Sequence, residues 1–139
     1  IVECTIEEYL RLAAPEATVA EVRKALEYVG LDEVIDNLDD GIATRISVLG
    51  DPLQPLEFLL LKLAAAVLSK PQVLVINQHF DAIPQSIKER LLDRIARLEC
   101  TVLYFTNMPL KGVFNATLNL QDVLYVEDSA TDNKGEGHE

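Results

Sequence analysis

The apolar positions of the chain follow one period in its first half and another in its second. Two N-terminal segments open on the same signal. Thr5 precedes Glu8 by three residues in "TIEEYLRLAA", and Thr18 precedes Glu21 by three in "TVAEVRKALEYVG". In each pair the hydroxyl can accept from the backbone N–H three residues on while the carboxylate reaches back, a capping box that predicts a helix start. Val19, Val22, Leu26 and Val29 then recur at helical spacing, and Gly30 supplies the stop, with Leu31 following. "DEVIDNL" predicts a short third helix. From Gly41 to Pro55 no period survives, because Gly41, Gly50, Pro52 and Pro55 interrupt it. Leu56 to Ser69 is apolar almost all round, which predicts a helix buried on most faces.

The pattern then changes. "VLVI" (Val73 to Ile76) reads as a fully buried strand, and "TVLYFT" (Thr101 to Thr106) as a second. Between them Ser86 and Glu89 form a third capping-box pattern, opening a helix with Ile87, Leu91, Ile95 and Leu98 inward. Strand, helix and strand with short joins make a βαβ unit, so the strands are expected parallel with a right-handed crossover. "ATLNL" and "VLYVE" predict a hairpin turning near Gln121 and Asp122, followed by a solvated acidic tail. The fold class is therefore α/β: a helical part over 3–70, a partial parallel sheet with its helix over 71–127, and a tail over 128–139. Ligands of parallel sheets sit at the carboxyl ends of the strands. That rule points to Asn77 to Asp81 and Thr106 to Met108.

Composition narrows the function classes. A net charge of −11 over 139 residues repels phosphate backbones, which argues against nucleic acid as a partner. The longest apolar run, Phe58 to Leu68, is interrupted by Lys62 and falls short of the ~18 residues that span a bilayer. The piece itself is expected to be soluble. Cys4 and Cys100 are far apart, and with only His79 and His138 beside them they make neither a structural zinc site nor a disulfide framework. They read as free thiols, and no metal site is expected. The opening "IVEC" lacks Met, and the expectation is a piece of a longer protein.

From Val2 to about Glu127 the chain resembles the second part of an ABC-transporter ATP-binding domain of the exporter type. "TIEEYL" is similar to that family's T-I-x-E-N-[IL], and "VRKALEYVGLDEVIDNLDDGIATRI" to its helix pair followed by P-x-G-x-x-T. "LQPLEFLLLKLAAAVLSKPQVLVINQ" runs in step with the signature L-S-G-G-Q, its helix and the Walker B strand ending in Asp-Glu. "FDAIP" falls on the D-loop, and "LYFTN" on the strand ending in the switch His. The resemblance implies the fold of a P-loop NTPase: a helical signature subdomain on part of a RecA-like core.

The same resemblance marks what is changed. Asn77 stands at the Walker B Asp, and an amide is a poor substitute where magnesium favours carboxylates. Gln78 stands at the Glu that polarises water, and an amide takes no proton; losing a general base typically costs ~10²–10⁴ in rate. Asn107 replaces the switch His, and Pro84 the D-loop Asp. The signature positions are Gln54, Pro55, Leu56 and Glu57, where Pro55 has no N–H for a phosphate and Leu56 adds bulk. Glu57 equally suits a first-turn helix acid favoured by the dipole. Val48 takes the place of an acidic residue in the loop that senses the membrane domain. No G-x-x-x-x-G-K-[ST] occurs, so the P-loop is absent from the chain. Asp81 has no base or nucleophile beside it in sequence.

These residues imply a catalytically degenerate piece of an ATP-binding domain. It would act in coupling or dimerisation at the cytoplasmic face of a membrane. No cofactor is expected for the piece, although ATP and Mg serve the family. The implied partners are the parent's transmembrane domains and a second ATP-binding domain, with self-association through exposed strand edges. The alternative is an interaction module on the same scaffold that binds a basic protein and touches no nucleotide.

Overall fold

The computed structural model describes residues 3–108 and 112–118. Contacts divide the chain into a first unit, Ile1–Pro109, and a second, Leu110–Glu139. Every described helix and strand lies in the first. The expected hairpin turn, the strand "VLYVE" and the acidic tail lie outside the described residues.

Both N-terminal capping boxes form. Thr5 caps α1 (Ile6–Ala13), its Oγ1 accepting from the Glu8 N–H at 3.1 Å while Glu8 Oε2 accepts from the Thr5 N–H at 2.8 Å. Thr18 and Glu21 repeat this on α2 (Val19–Val29), at 3.2 and 2.8 Å. Gly30 ends α2 at φ 78°, a left-handed conformation that glycine adopts without cost. The short helix α3 (Asp32–Asp36) follows.

Periodicity does not reveal the next pairing. Cys4–Thr5 (β1) and Arg45–Ile46 (β2) form a two-residue antiparallel ladder, Cys4 against Ile46 and Thr5 against Arg45. A two-residue strand is too short to carry an alternating pattern, so its partner decides it. Beyond β2, Gly50 adopts φ 98° and lies so close to Phe58 that a Cβ there would sit 2.5 Å from the ring.

The apolar run becomes α4 (Pro55–Leu68), which packs against α1 and α2. Leu61 and Ala64 are fully buried in the same core as Ile6, Leu10 and Val22. Lys62 points outward, its Nζ 4.5 Å above the Phe58 ring. This helical layer accounts for the first half of the chain.

β3 (Val73–Ile76) and β4 (Thr101–Tyr104) pair in parallel, Val73 against Thr101 through Ile76 against Tyr104. They are not fully buried, as the sequence suggests they should be. Leu74 and Ile76 face the core, whereas Val73 and Val75 are 51% and 59% exposed and Leu103 47%. The described residues cover one face of the sheet only, and parallel sheets are ordinarily covered on both.

α5 (Gln85–Ala96) also departs from expectation. Its N-cap is Pro84, whose carbonyl accepts from the Ile87 and Lys88 N–H groups at 3.0 and 2.9 Å. Ser86 is therefore inside the helix rather than capping it, and Glu89 accepts from Gln85 Nε2 at 2.7 Å. The inward face is Lys88, Leu91, Leu92 and Ile95, with Ile87 only half-buried and Leu98 beyond the helix end. The helix thus starts two residues earlier than expected, and Leu91 and Ile95 face inward as read.

Candidate functional site

The carboxyl ends of β3 and β4 gather most of the polar residues expected there. β3 ends at Ile76, and the chain turns at once into a 3-10 turn over Gln78–Ala82. Asn77 starts that turn: its Oδ1 accepts from the His79 N–H at 3.0 Å. Phe80 is buried in it, and its ring meets Tyr104 edge-on at 5.9 Å. A buried aromatic anchor thus fixes where the flanking polar side chains can reach.

Asn107, just past β4, donates from Nδ2 to Gln78 Oε1 at 3.2 Å. Gln78 and Asn107 are therefore partners, a pairing that the sequence reading does not name. Their contact is amide to amide and carries no net charge.

The carboxylate of this edge is Asp81. Its Oδ1 accepts from the Tyr104 and Thr106 hydroxyls, each at 2.5 Å, and its Oδ2 from the Asn107 N–H at 3.0 Å. Thr106 Oγ1 also accepts from the Met108 N–H at 2.9 Å. Beneath the loop lies Lys88, 1% exposed, whose Nζ donates to the Asp81 carbonyl at 3.3 Å. Burial pulls the Asp81 carboxyl upward. The hydrogen bonds from Thr106, Tyr104 and Asn107, with the charge of Lys88, outweigh it and hold the group below the ordinary aspartate value. Tyr104 moves the other way: burial, then its bond to Asp81, pushes the phenol up to about 12.

Sequence reading places Asp81 and Thr106 on this edge but gives neither a partner, and it misses Tyr104 and Lys88. The available signal was the spacing of Lys88 with Leu91, Leu92 and Ile95, which puts a lysine on an apolar helix face where it requires a compensating group.

The altered signature lies elsewhere on the chain, at the start of α4. Gln54 is the N-cap and Pro55 the first helical residue, with Leu56 and Glu57 following. The Gln54 N–H donates to Glu57 Oε2 at 2.7 Å, so the first-turn-acid reading of Glu57 describes its position. No hydrogen bond or ion pair among the described residues links Gln54–Glu57 to Asn77, Gln78 or Asn107. Pro84 sits at the α5 N-terminus, and Val48 is 63% exposed on the loop after β2. Cys4 and Cys100 are free thiols. Among the described residues no three His, Cys, Asp or Glu side chains converge as metal ligands, and no helix is long and apolar enough to cross a membrane.

Comparison with known proteins gives this geometry a context. Over 74 residues the chain is 35% identical to the uncharacterized ABC transporter ATP-binding protein YknV of Bacillus subtilis, covering 53% of this chain and 12% of that one. It is 30% identical over 93 residues to a fatty acid ABC transporter ATP-binding/permease protein of Mycobacterium bovis, covering 67% of this chain and 15% of that one. The fold matches a bacterial Atm1-family ABC exporter solved with ATP bound, at a TM-score of 0.68 and 20% identity over 76% of this chain. Its homologues are ABC transporter ATP-binding proteins. No protein-family model matches the chain. The chain spans 12% and 15% of the lengths of the two relatives named, and 19% of the exporter chain.

Proposed function

We propose that the chain is part of the ATP-binding domain of an ABC exporter: the signature-bearing helical subdomain, residues 3–70, on a partial RecA-like core, residues 71–127. It serves coupling and dimerisation beside the membrane domains rather than hydrolysis. The observation that carries this reading is the Gln78–Asn107 contact at 3.2 Å. Where the exporter family places a carboxylate and a histidine, two neutral amides bond each other. Neither accepts a proton from water at neutral pH.

The rest of the donor accounting supports the same reading. Asn77 Oδ1 is engaged by the His79 N–H, and both Asp81 oxygens are engaged by neighbours. At the start of α4 the Gln54 N–H serves Glu57, and Pro55 has none. These residues do not fit a magnesium ion or a phosphate chain, so no hydrolytic step is assigned to them. In this reading the partners are the transmembrane domains of the parent protein and a second ATP-binding domain, at the cytoplasmic face.

ATP turnover by the intact parent protein tests this. Replacing Gln78 and Asn107 together by Ala should leave the rate within about twofold. A fall of ~10²–10⁴, the size expected for removing a general base, would overturn the proposal.

A further inference from the structure

The donors around Asp81 have a geometry that does not depend on the family. Two hydroxyls, Tyr104 and Thr106, and one backbone N–H, Asn107, converge on a single carboxylate. They come from the last residue of β4 and the segment just after it, and none belongs to the loop that carries Asp81. Lys88 adds a buried ammonium on the α5 side, bonded to the Asp81 carbonyl. Among the described residues no ion pair within 4.0 Å neutralises Lys88, in contrast to Arg11, Arg23, Lys70 and Arg97, each of which meets a carboxylate. Convergent N–H and O–H donors with a nearby cation are what an oxyanion site requires. The position, at the carboxyl end of a parallel strand, is where such sheets bind their ligands.

We infer that Tyr104, Thr106, the Asn107 backbone and Lys88 form an oxyanion-binding site, and that its resident anion is the chain's own Asp81 carboxylate. The side chain acts as an internal ligand. It ties the loop Gln78–Ala82 to β4, and it excludes carboxylate or phosphate groups from outside. Since Phe80 and Gln78 ride on the same loop, the internal anion also keeps Gln78 in reach of Asn107. The inference concerns this chain's own donors and stands whether or not the parent hydrolyses ATP.

Chemical rescue tests it. In Asp81→Ala the site loses its anion while the donors remain. Hydrogen exchange at the Asn107 amide should quicken by roughly 10- to 100-fold, the range implied by losing a hydrogen bond to a charged group. Acetate or inorganic phosphate, against chloride at equal ionic strength, should restore the protection saturably. Acetate acting alone identifies a carboxylate-sized site, and phosphate acting as well identifies a wider one. Adding Thr106→Val to Asp81→Ala should abolish the rescue, and the unsubstituted chain should not respond to either anion. If Asp81→Ala does not fold, Asp81→Asn replaces it. That variant removes the charge and so weakens whatever bond the amide makes to the Asn107 N–H; exchange there should quicken while α2 stays protected. Rescue that never saturates, an equal response of the unsubstituted chain, or Asp81→Asn exchanging at the original rate would each overturn the inference.

Discussion

The Arg94 Nη1 of α5 donates to the Tyr28 carbonyl at the end of α2 at 2.6 Å, with its guanidinium 6.0 Å from the Tyr28 ring. The carbonyl groups of a helix's last turn lack intrahelical donors, and a cation there also meets the negative end of the dipole. One side chain from the βαβ part thereby finishes a helix of the helical part, 66 residues away in sequence. Arg94→Met should keep the stem packing and lose the bond. The expected loss is about 0.5–2 kcal/mol in urea denaturation, and a change below about 0.3 kcal/mol would show the contact to be idle.

Acid should act through Asp81. Its carboxyl is held below the ordinary value in the folded chain, so on lowering the pH the unfolded chain takes up this proton first. Stability from this group is therefore complete above the ordinary aspartate range, about pH 4–5, and is lost as pH falls through and below it. Comparing urea midpoints of the unsubstituted chain and Asp81→Asn tests this. The gap between them should be constant from about pH 5 to 7 and close toward pH 2. A gap that widens on acidification would give the linkage the wrong sign.

Gly50→Ala should destabilise through two causes that act together. The backbone at φ 98° disfavours any L side chain, and the new Cβ meets Phe58 Cγ at 2.5 Å. Overpacking of this kind typically costs about 1–3 kcal/mol. Gly30→Ala, at φ 78° with open space around it, meets only the backbone penalty of about 1 kcal/mol. The order of the two melting temperatures is the check.

The face of the β3–β4 sheet that no described residue covers should associate. Val73, Val75, Leu103 and Phe105 are all about half exposed, at 46% to 59%, and lie together by the parallel register. Light scattering of the chain should show mass rising with concentration, and Val75→Glu should lower it toward the monomer. Secondary structure by circular dichroism should not change, since Val75 contributes nothing to the buried core.

Short-range signals in the sequence determine much of this protein. The two threonine capping boxes, the Gly30 stop and the apolar run of α4 each form as read, because a helix end is specified by residues three or four apart. The parallel pairing of β3 with β4 follows from the short joins between strand, helix and strand, and the ordered motifs point to the family of the relatives. What the tertiary structure alone decides depends on contacts across long separations. The ladder of Cys4–Thr5 with Arg45–Ile46 has no pattern of its own. Pro84 rather than Ser86 is the N-cap of α5, so the helix begins two residues before the local signal. The exposure of Val75 depends on what else covers the sheet. Asp81 is an isolated acid in sequence, and only folding brings Tyr104, Thr106 and Lys88 to it. Local hydrogen bonding is written along the chain, whereas the partners of a buried charge are fixed only when distant elements meet.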